Sequence, residues 1–400
     1  MNPLTTPHIT PNSILTTTNP NLSPADEPTL IFLIPGNPGL ISYYQTFLPL
    51  LSVYLSTSDD GNNISPSCII HGKSLGGFEI DETSEIVKSS INSKPTTGNI
   101  QKNQPGNEEE PSTQQKTGRY SLSQQIEHVE RNLLDYVDAW RRPNPQEGIA
   151  AGKRRKPKVI LMGHSIGSYI AMEIMRRHRE DETANHQGEG EGDGGGMDII
   201  GAVLLFPTVI DIAKSASGRK LTTLLYIPYL ALLASVLAKC LTSILSGPIL
   251  HKVVRFVMGS GTPEDAVSTT ASFLQSKHGV EQAISMSADE MREVTADKWS
   301  DEIWGIASSS YSGLDSPSPS PSPSQPPSSS ATPTPENPPL SLVLYFAQSD
   351  HWVADQTRDE IIRARGARSE KGNGNGPKMM VCEDGVVHGF CIKKDRATEE

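Results

Sequence analysis

Short apolar runs alternate with longer amphipathic stretches along this chain. Runs at 29–34, 67–70, 158–162, 199–206, 341–346 and 378–382 have the length of buried strands. Apolar spacing near 3.6 falls between them, at 121–140, 168–179 and 354–365, and predicts helices. The first of these opens on Ser123, a residue suited to cap it, and continues to Trp140. Short apolar strands alternating with helices predict an α/β fold, a mainly parallel sheet covered by helices on both faces. No repeat period is present.

Four stretches break the alternation. Residues 1–27 are polar and rich in Thr, Pro and Asn. Residues 82–118 carry Ser, Thr, Asn, Gln and Glu, 180–196 are rich in Glu and Gly, and 307–338 are dominated by Ser and Pro. None can bury enough apolar surface to offset the entropy of ordering, so each is expected to be disordered. The last three fall between strand-like runs and read as surface insertions in one domain, 28–400, behind a disordered tail at 1–27. Without them roughly 280–300 residues remain, ample for a single core.

The chemistry concentrates at Gly163-His164-Ser165-Ile166-Gly167. This is a G-x-S-x-G string preceded by an apolar strand, Lys158–Met162, and followed by a helix from Ser168. Strand, tight turn and helix form the setting of a nucleophile elbow, in which the glycines let the chain turn and the serine projects into a site. A serine needs a base, and the base needs an orienting acid. In α/β-hydrolases these follow in the order Ser, acid, His. The run 342–346 leads to Asp350, and the run 379–382 leads to a loop bearing His388. His351 adjoins Asp350 and would diverge from it in an extended segment, which leaves His388 as the base. Asp355 and Asp211 are the alternative acids. The loop Pro35–Gly39 after the first strand offers a backbone N–H from Asn37 to an oxyanion, and Ile166, the residue after the serine, offers the second. Pro38 has none to give. A simple Pro/Gly turn is the alternative reading of that loop.

These landmarks together resemble the lipid droplet-associated hydrolase family of the α/β-hydrolase superfamily. The resemblance rests on Ile34-Pro35-Gly36-Asn37-Pro38-Gly39 followed by Tyr43, Tyr44 and Phe47, on Gln125-Ile126-Glu127-His128, and on Gly163 through Tyr169. It continues with Leu204-Leu205-Phe206-Pro207-Thr208, Asp350 with Trp352, and His388-Gly389-Phe390. It covers the chain from about residue 30 onward. It implies Ser165 as nucleophile, Asp350 as acid and His388 as base, and an ester hydrolase of sterol esters or other neutral lipids. It also implies a closing helix after His388, which the residues up to Glu400 would hold only in shortened or truncated form.

A second signal lies at 221–258. Leu221 to Ala238 carries no charge, Lys239 interrupts, and Cys240 to Leu250 is again uncharged, with Pro228 and Pro248 inside the run. It reads as a buried cap helix, as a bilayer-spanning helix, or as a lid or hairpin lying in a lipid surface. Its place between Thr208 and the Asp350 strand, where a cap would cover the site, favours the lipid surface, and the resemblance implies a droplet. The expected partners are a neutral lipid ester substrate and a lipid droplet or endoplasmic reticulum monolayer contacted through 221–258, with the cytosol as a further location. Two other classes stay open: a droplet-organising protein with an idle triad, and a soluble esterase or thioesterase with a buried cap.

Remaining features exclude more than they add. A net charge of −11 does not indicate a nucleic-acid surface. Lys153–Lys156 reads as a solvated basic loop near the elbow strand. Gly72-Lys73-Ser74 imitates the end of a phosphate loop but lacks its upstream glycine. Cys68, Cys240, Cys382 and Cys391 have neither metal spacing nor a disulfide pattern and fit a reducing compartment. The N-terminus shows no signal-peptide pattern. The chemistry needs no cofactor and no metal, and the oligomeric state is open.

Overall fold

In a computed structural model the described residues are 6–19, 27–57, 67–80, 119–141, 156–187, 196–259, 261–306, 340–366 and 376–392. One eight-stranded sheet organises them. Its strands are β1 (His8–Ile9), β2 (Ser13–Thr17), β3 (Thr29–Ile34), β4 (Cys68–Lys73), β5 (Lys158–His164), β6 (Asp198–Leu205), β7 (Ser341–Phe346) and β8 (Lys378–Val381). They lie in the order β1-β2-β4-β3-β5-β6-β7-β8. Pairing is antiparallel for β1–β2 and β2–β4 and parallel from β4 to β8.

The central strands owe their place to composition. Leu30 to Ile34 are all buried in succession, as are Cys68 to Gly72. Burial of consecutive residues means that both sheet faces are covered, which is why these strands read as continuous apolar runs rather than alternating ones. Helix α1 (Phe47–Thr57) packs on β2 and β4, and α2 (Leu122–Arg141) packs on α3 (Ile166–Gln187), which lies against β3, β5 and β6. Ser121, not Ser123, caps α2. Its hydroxyl accepts from the Gln124 N–H (3.3 Å), and the Gln124 side chain accepts from the Ser121 N–H (2.9 Å), a reciprocal capping box.

Two expectations are corrected. The segment 1–27 is not a wholly disordered tail, because 8–9 and 13–17 extend the sheet. Ile14 and Leu15 are fully buried, β2 pairs with β4 from Ser13↔Lys73 to Thr17↔Ile69, and the Asn12 amide brackets the Ile80 backbone with two 2.8 Å bonds. Two adjacent apolar residues suffice because the sheet edge supplies the backbone partners. The segment 180–196 is likewise helical at its start, since α3 runs on to Gln187, with Arg176–Glu180 and Arg179–Glu182 pairs along it. Residues 82–118 and 307–338 lie outside the described residues, as do 153–155 of the basic cluster.

Between β6 and β7 a cap of five helices is inserted: α4 (Ala216–Leu225), α5 (Leu230–Ile244), α6 (Gly247–Met258), α7 (Glu264–Gln275) and α8 (Gly279–Glu293). The prolines of the apolar run fall where helices break or begin. Pro228 sits in the 93° bend between α4 and α5, and Pro248 occupies the first turn of α6, where a missing N–H leaves no hydrogen bond unmade. Among the described residues no single helix is long and apolar enough to cross a membrane. The bent pair of α4 and α5 has the length and composition together, and the run is not a buried core element. Tyr226 and Tyr229 before α5, Leu233, Leu237 and Ile244 on it, and Phe256 and Val257 on α6 are all more than half exposed. Helix α5 turns only its small Ser235 and Ala238 fully inward, and packs on α8.

Candidate active site

Parallel strands deliver their following loops to one edge of the sheet, and the sequence-predicted residues meet there. Ser165 stands between β5 and α3 with φ of +54°, a strained conformation for a residue bearing a side chain. Its neighbours make the turn feasible. A Cβ on Gly163 would lie 2.5 Å from the Gly167 carbonyl oxygen, and one on Gly167 would lie 2.2 Å from that of Ile34. The Ser165 N–H donates to Leu205 (3.0 Å), so the end of β6 fixes the elbow from the side.

His388 follows β8 and brings Nε2 to 2.9 Å from Ser165 Oγ, while its Nδ1 lies 2.8 Å from Asp350 Oδ2 after β7. A carboxylate only accepts, so Nδ1 carries the proton and Nε2 presents its lone pair to the serine hydroxyl. Asp350 Oδ1 accepts from the Trp352 N–H (2.7 Å) and the Val353 N–H (3.3 Å). Burial would raise the Asp350 carboxyl, but the His388 bond and these N–H groups hold it below its ordinary value. The alternative acids are engaged elsewhere: Asp211 bonds Lys214 (2.7 Å), and Asp355 pairs with Arg358. His351 is exposed, and its carbonyl accepts from the Ser217 N–H at the start of the cap.

The loop Pro35–Gly39 lies directly on the serine: a Cβ on Gly36 would sit 3.0 Å from Ser165 Cβ. Within it the Gly36 N–H donates to the Tyr44 hydroxyl (3.2 Å), and Pro38 has no N–H. Asn37 and Ile166, the latter the first residue of α3, donate their backbone N–H to no other group among the described residues. The Asn37 side chain is also held: its Nδ2 lies 2.9 Å from the Ala283 carbonyl, Ser287 Oγ and Glu290 Oε1 on α8.

Two further residues belong to the site, and the motif alone does not reveal their roles. His164, the variable position of the elbow, is buried, and its Nε2 contacts the His388 carbonyl at 2.8 Å. A carbonyl can only accept, so Nε2 bears the hydrogen and Nδ1 must accept from Tyr44, 2.6 Å away. Burial and the neighbouring His388 push His164 down to about 3, which keeps the ring neutral. One ordered chain of donors thus runs from Gly36 through Tyr44 and His164 to the backbone of His388. Phe206 packs edge-on against His164 and tilted against His388, and Phe390 packs edge-on against His164 and tilted against Phe206, so the two rings screen the network from water. A sequence signal existed for Tyr44, which lies in the Tyr43-Tyr44 pair after the loop.

The family model for lipid-droplet associated hydrolases matches residues 27–391. The chain belongs to that family. The chain is 28% identical over 273 residues to the lipid droplet-associated hydrolase of Gallus gallus, covering 67% of this chain and 63% of that protein. It is 28% identical over 196 residues to that of Homo sapiens, covering 49% of this chain and 42% of that protein. The match spans less than two thirds of either relative. Among solved structures, a carboxylesterase study from the thaumarchaeon Nitrososphaera gargenis gives a TM-score of 0.43 at 11% identity, over 99% of this chain and 94% of that one. The 2-hydroxy-6-oxo-6-phenylhexa-2,4-dienoate hydrolase of Rhodococcus sp. strain RHA1 gives 0.43 at 10%, over 97% and 91%. Scores this low add nothing to the strand order. That order, with the elbow after β5, the acid after β7 and the histidine after β8, is the α/β-hydrolase arrangement.

Proposed function

We propose that this chain is a serine hydrolase of neutral lipid esters that works at a lipid droplet surface. The observation that carries the reading is the 2.9 Å and 2.8 Å sequence of contacts from Ser165 through His388 to Asp350. In this reading His388 takes the Ser165 proton as Oγ attacks the ester carbonyl, and Asp350 stabilises the resulting imidazolium. The N–H groups of Asn37 and Ile166 receive the oxyanion. His388 then protonates the departing alcohol, and water attacks the acyl–Ser165 ester to release the fatty acid with His388 as base again.

The cap supports the lipid surface. It leaves Leu233, Leu237 and Ile244 of α5 and Phe256 and Val257 of α6 exposed, large apolar side chains of the kind that mark a membrane or partner contact. Charge agrees: no Asp or Glu occurs between Asp211 and Glu264, while Lys214, Arg219, Lys220, Lys239, Lys252 and Arg255 do, in a chain of net charge −11. A basic, apolar face suits a monolayer bearing anionic phospholipid. The family relatives are named for the same location, a droplet, and sterol esters are a substrate to test first. The test is release of fatty acid from cholesteryl-oleate and triolein emulsions by wild type and Ser165→Ala. Loss of a working nucleophile should lower turnover by about six orders of magnitude. Equal rates for the two proteins would exclude Ser165 as nucleophile, and equal silence alongside intact emulsion binding would favour the organising-protein reading.

A further inference from the structure

Glu290 is a buried carboxyl that the triad does not use. It lies on α8 of the cap, and its Oε1 is 2.9 Å from Nδ2 of Asn37, the residue read above as an oxyanion donor. Ser287, one turn earlier, and the Ala283 carbonyl, one turn earlier again, meet the same nitrogen at 2.9 Å. The Asn37 amide cannot be turned over, because the Ala283 carbonyl only accepts and so requires the nitrogen. Asn37 Oδ1 is left buried with no partner among the described residues, so the loop keeps this contact despite an unsatisfied acceptor. A loop of this kind would ordinarily leave a polar side chain to solvent. Here three α8 groups, spaced along one helix face at 283, 287 and 290, converge on it.

We propose that Glu290 is a positioning residue for the oxyanion loop: from the cap it latches the Asn37 side chain and thereby sets where the Asn37 N–H points. The inference rests on the reading of Asn37 as an oxyanion donor. The same helix is tied to the body of the protein by Gln282, whose amide brackets the Tyr120 backbone with two 2.8 Å bonds, and by Asp289, which accepts from the Leu122 N–H. It also carries α5, the helix with the exposed apolar face. The latch therefore joins the lipid-facing part of the cap to the loop that stabilises the transition state. Burial pushes the Glu290 carboxyl up to about 8, so near neutrality it is a protonated, uncharged partner that glutamine reproduces.

The experiment is a double-mutant cycle of Glu290→Ala and Asn37→Ala, read as kcat and KM on p-nitrophenyl butyrate and as the rate of Ser165 labelling by a fluorophosphonate. Losing an oxyanion donor outright lowers kcat by about 10²–10³-fold, so a donor that is only misplaced should lower kcat and labelling by about tenfold, with KM nearly unchanged. The double variant should be no slower than the slower single one, because both changes remove the same contact. Glu290→Gln should stay within about threefold of wild type, and Ser287→Ala should lose rate only when Asn37 is present; these two keep the test decisive if Glu290→Ala does not fold. Independent, multiplying losses would overturn the latch. So would wild-type labelling rates in Glu290→Ala, and that result would leave the triad reading standing. Absence of labelling in the wild type itself would overturn both.

Discussion

Replacing Tyr44 by phenylalanine removes one oxygen and tests whether the donor chain through His164 holds the site together. The ring should stay in place, since it packs edge-on against His164 and Phe390 at centroid distances of 5.8 and 6.4 Å. Two buried groups then lose their partner: the Gly36 N–H, which donates to the hydroxyl, and His164 Nδ1, which accepts from it. Leaving a buried polar group unsatisfied costs about 1–3 kcal/mol each, so the sum is roughly 2–6 kcal/mol. The Cys391 thiol also reaches the hydroxyl and, when freed, can partly replace it at the neighbouring groups, which places the expectation in the lower half, about 2–4 kcal/mol. Urea unfolding should show this as a lower midpoint with an unchanged slope, because the surface exposed on unfolding is the same. The turnover number should fall as well. Gly36 adjoins Asn37, and His164 holds the backbone of His388, so both the loop and the base lose a restraint; an error approaching 1 Å in such a site costs up to about 10²-fold. A variant within about 0.5 kcal/mol of wild type and with unchanged turnover would refute the reasoning, since that is the range of a neutral surface change.

Three other outcomes are expected. Gly167→Ala should yield little folded protein, because its Cβ would lie 2.2 Å from the Ile34 carbonyl oxygen and 2.7 Å from that of Pro35, both backbone atoms; recovery of soluble, active enzyme would show that the elbow tolerates a shift of β3 against α3. Stability should depend on pH in opposite senses through two buried groups. His164 is held at about 3 against an ordinary 6.5, so stability falls as pH drops from 6.5 toward 3, where the unfolded chain takes up a proton that the folded one refuses. Glu290 is held at about 8 against 4.5, so its contribution is lost as pH rises from 4.5 to 8, where the unfolded chain releases its proton first. Urea midpoints of wild type and Glu290→Gln should therefore diverge across 4.5–8 in favour of the glutamine and run parallel above 8, and a constant difference would contradict the shift. Finally, Leu237→Asp with Phe256→Asp should weaken binding to emulsions by at least about tenfold while leaving hydrolysis of a water-soluble ester within twofold, since both side chains are exposed and charge opposes insertion. Unchanged emulsion binding would exclude this face as the lipid contact.

The strands that form the middle of the sheet were legible because they are buried on both faces and so spell continuous apolar runs. The run 29–34 matches β3 at both ends, and 341–346 matches β7. Ser165, Asp350 and His388 were legible because each follows such a run, and parallel strands bring their ends to one edge. Strand β2 was not, since Ile14-Leu15 is a single apolar pair among Thr, Pro and Asn, and its order comes from pairing with β4 more than fifty residues away. The extension of α3 to Gln187 was masked by its acidic composition, which on a solvent-facing helix is supported by Arg–Glu pairs at neighbouring turns. His164 carries no local signal at all. It occupies the free position of a five-residue motif, and its meaning arises from a carbonyl 224 residues later. Glu290 was hidden for the same reason: a glutamate among Asp289, Arg292 and Glu293 reads as a solvated helix face until Asn37, 253 positions earlier, is seen against it.

The apolar run at 221–258 illustrates the limit from the other side. Its composition left a core helix, a spanning helix and a surface hairpin open, and only its place in the chain favoured the last. The choice depends on which residues face outward, and periodicity within a run that is apolar on every side does not say. The fold supplies that information by seating Ser235 and Ala238 inward and leaving the larger side chains outside.

The measurement that tests the central claim most directly is covalent labelling of the full chain by a fluorophosphonate, with the adduct located by peptide mass spectrometry. The account predicts a single adduct on Ser165, abolished in Ser165→Ala and greatly slowed in His388→Asn, because His388 Nε2, 2.9 Å from Ser165 Oγ, is the base that activates it. An unlabelled protein, or an adduct on another serine that persists in Ser165→Ala, would contradict it.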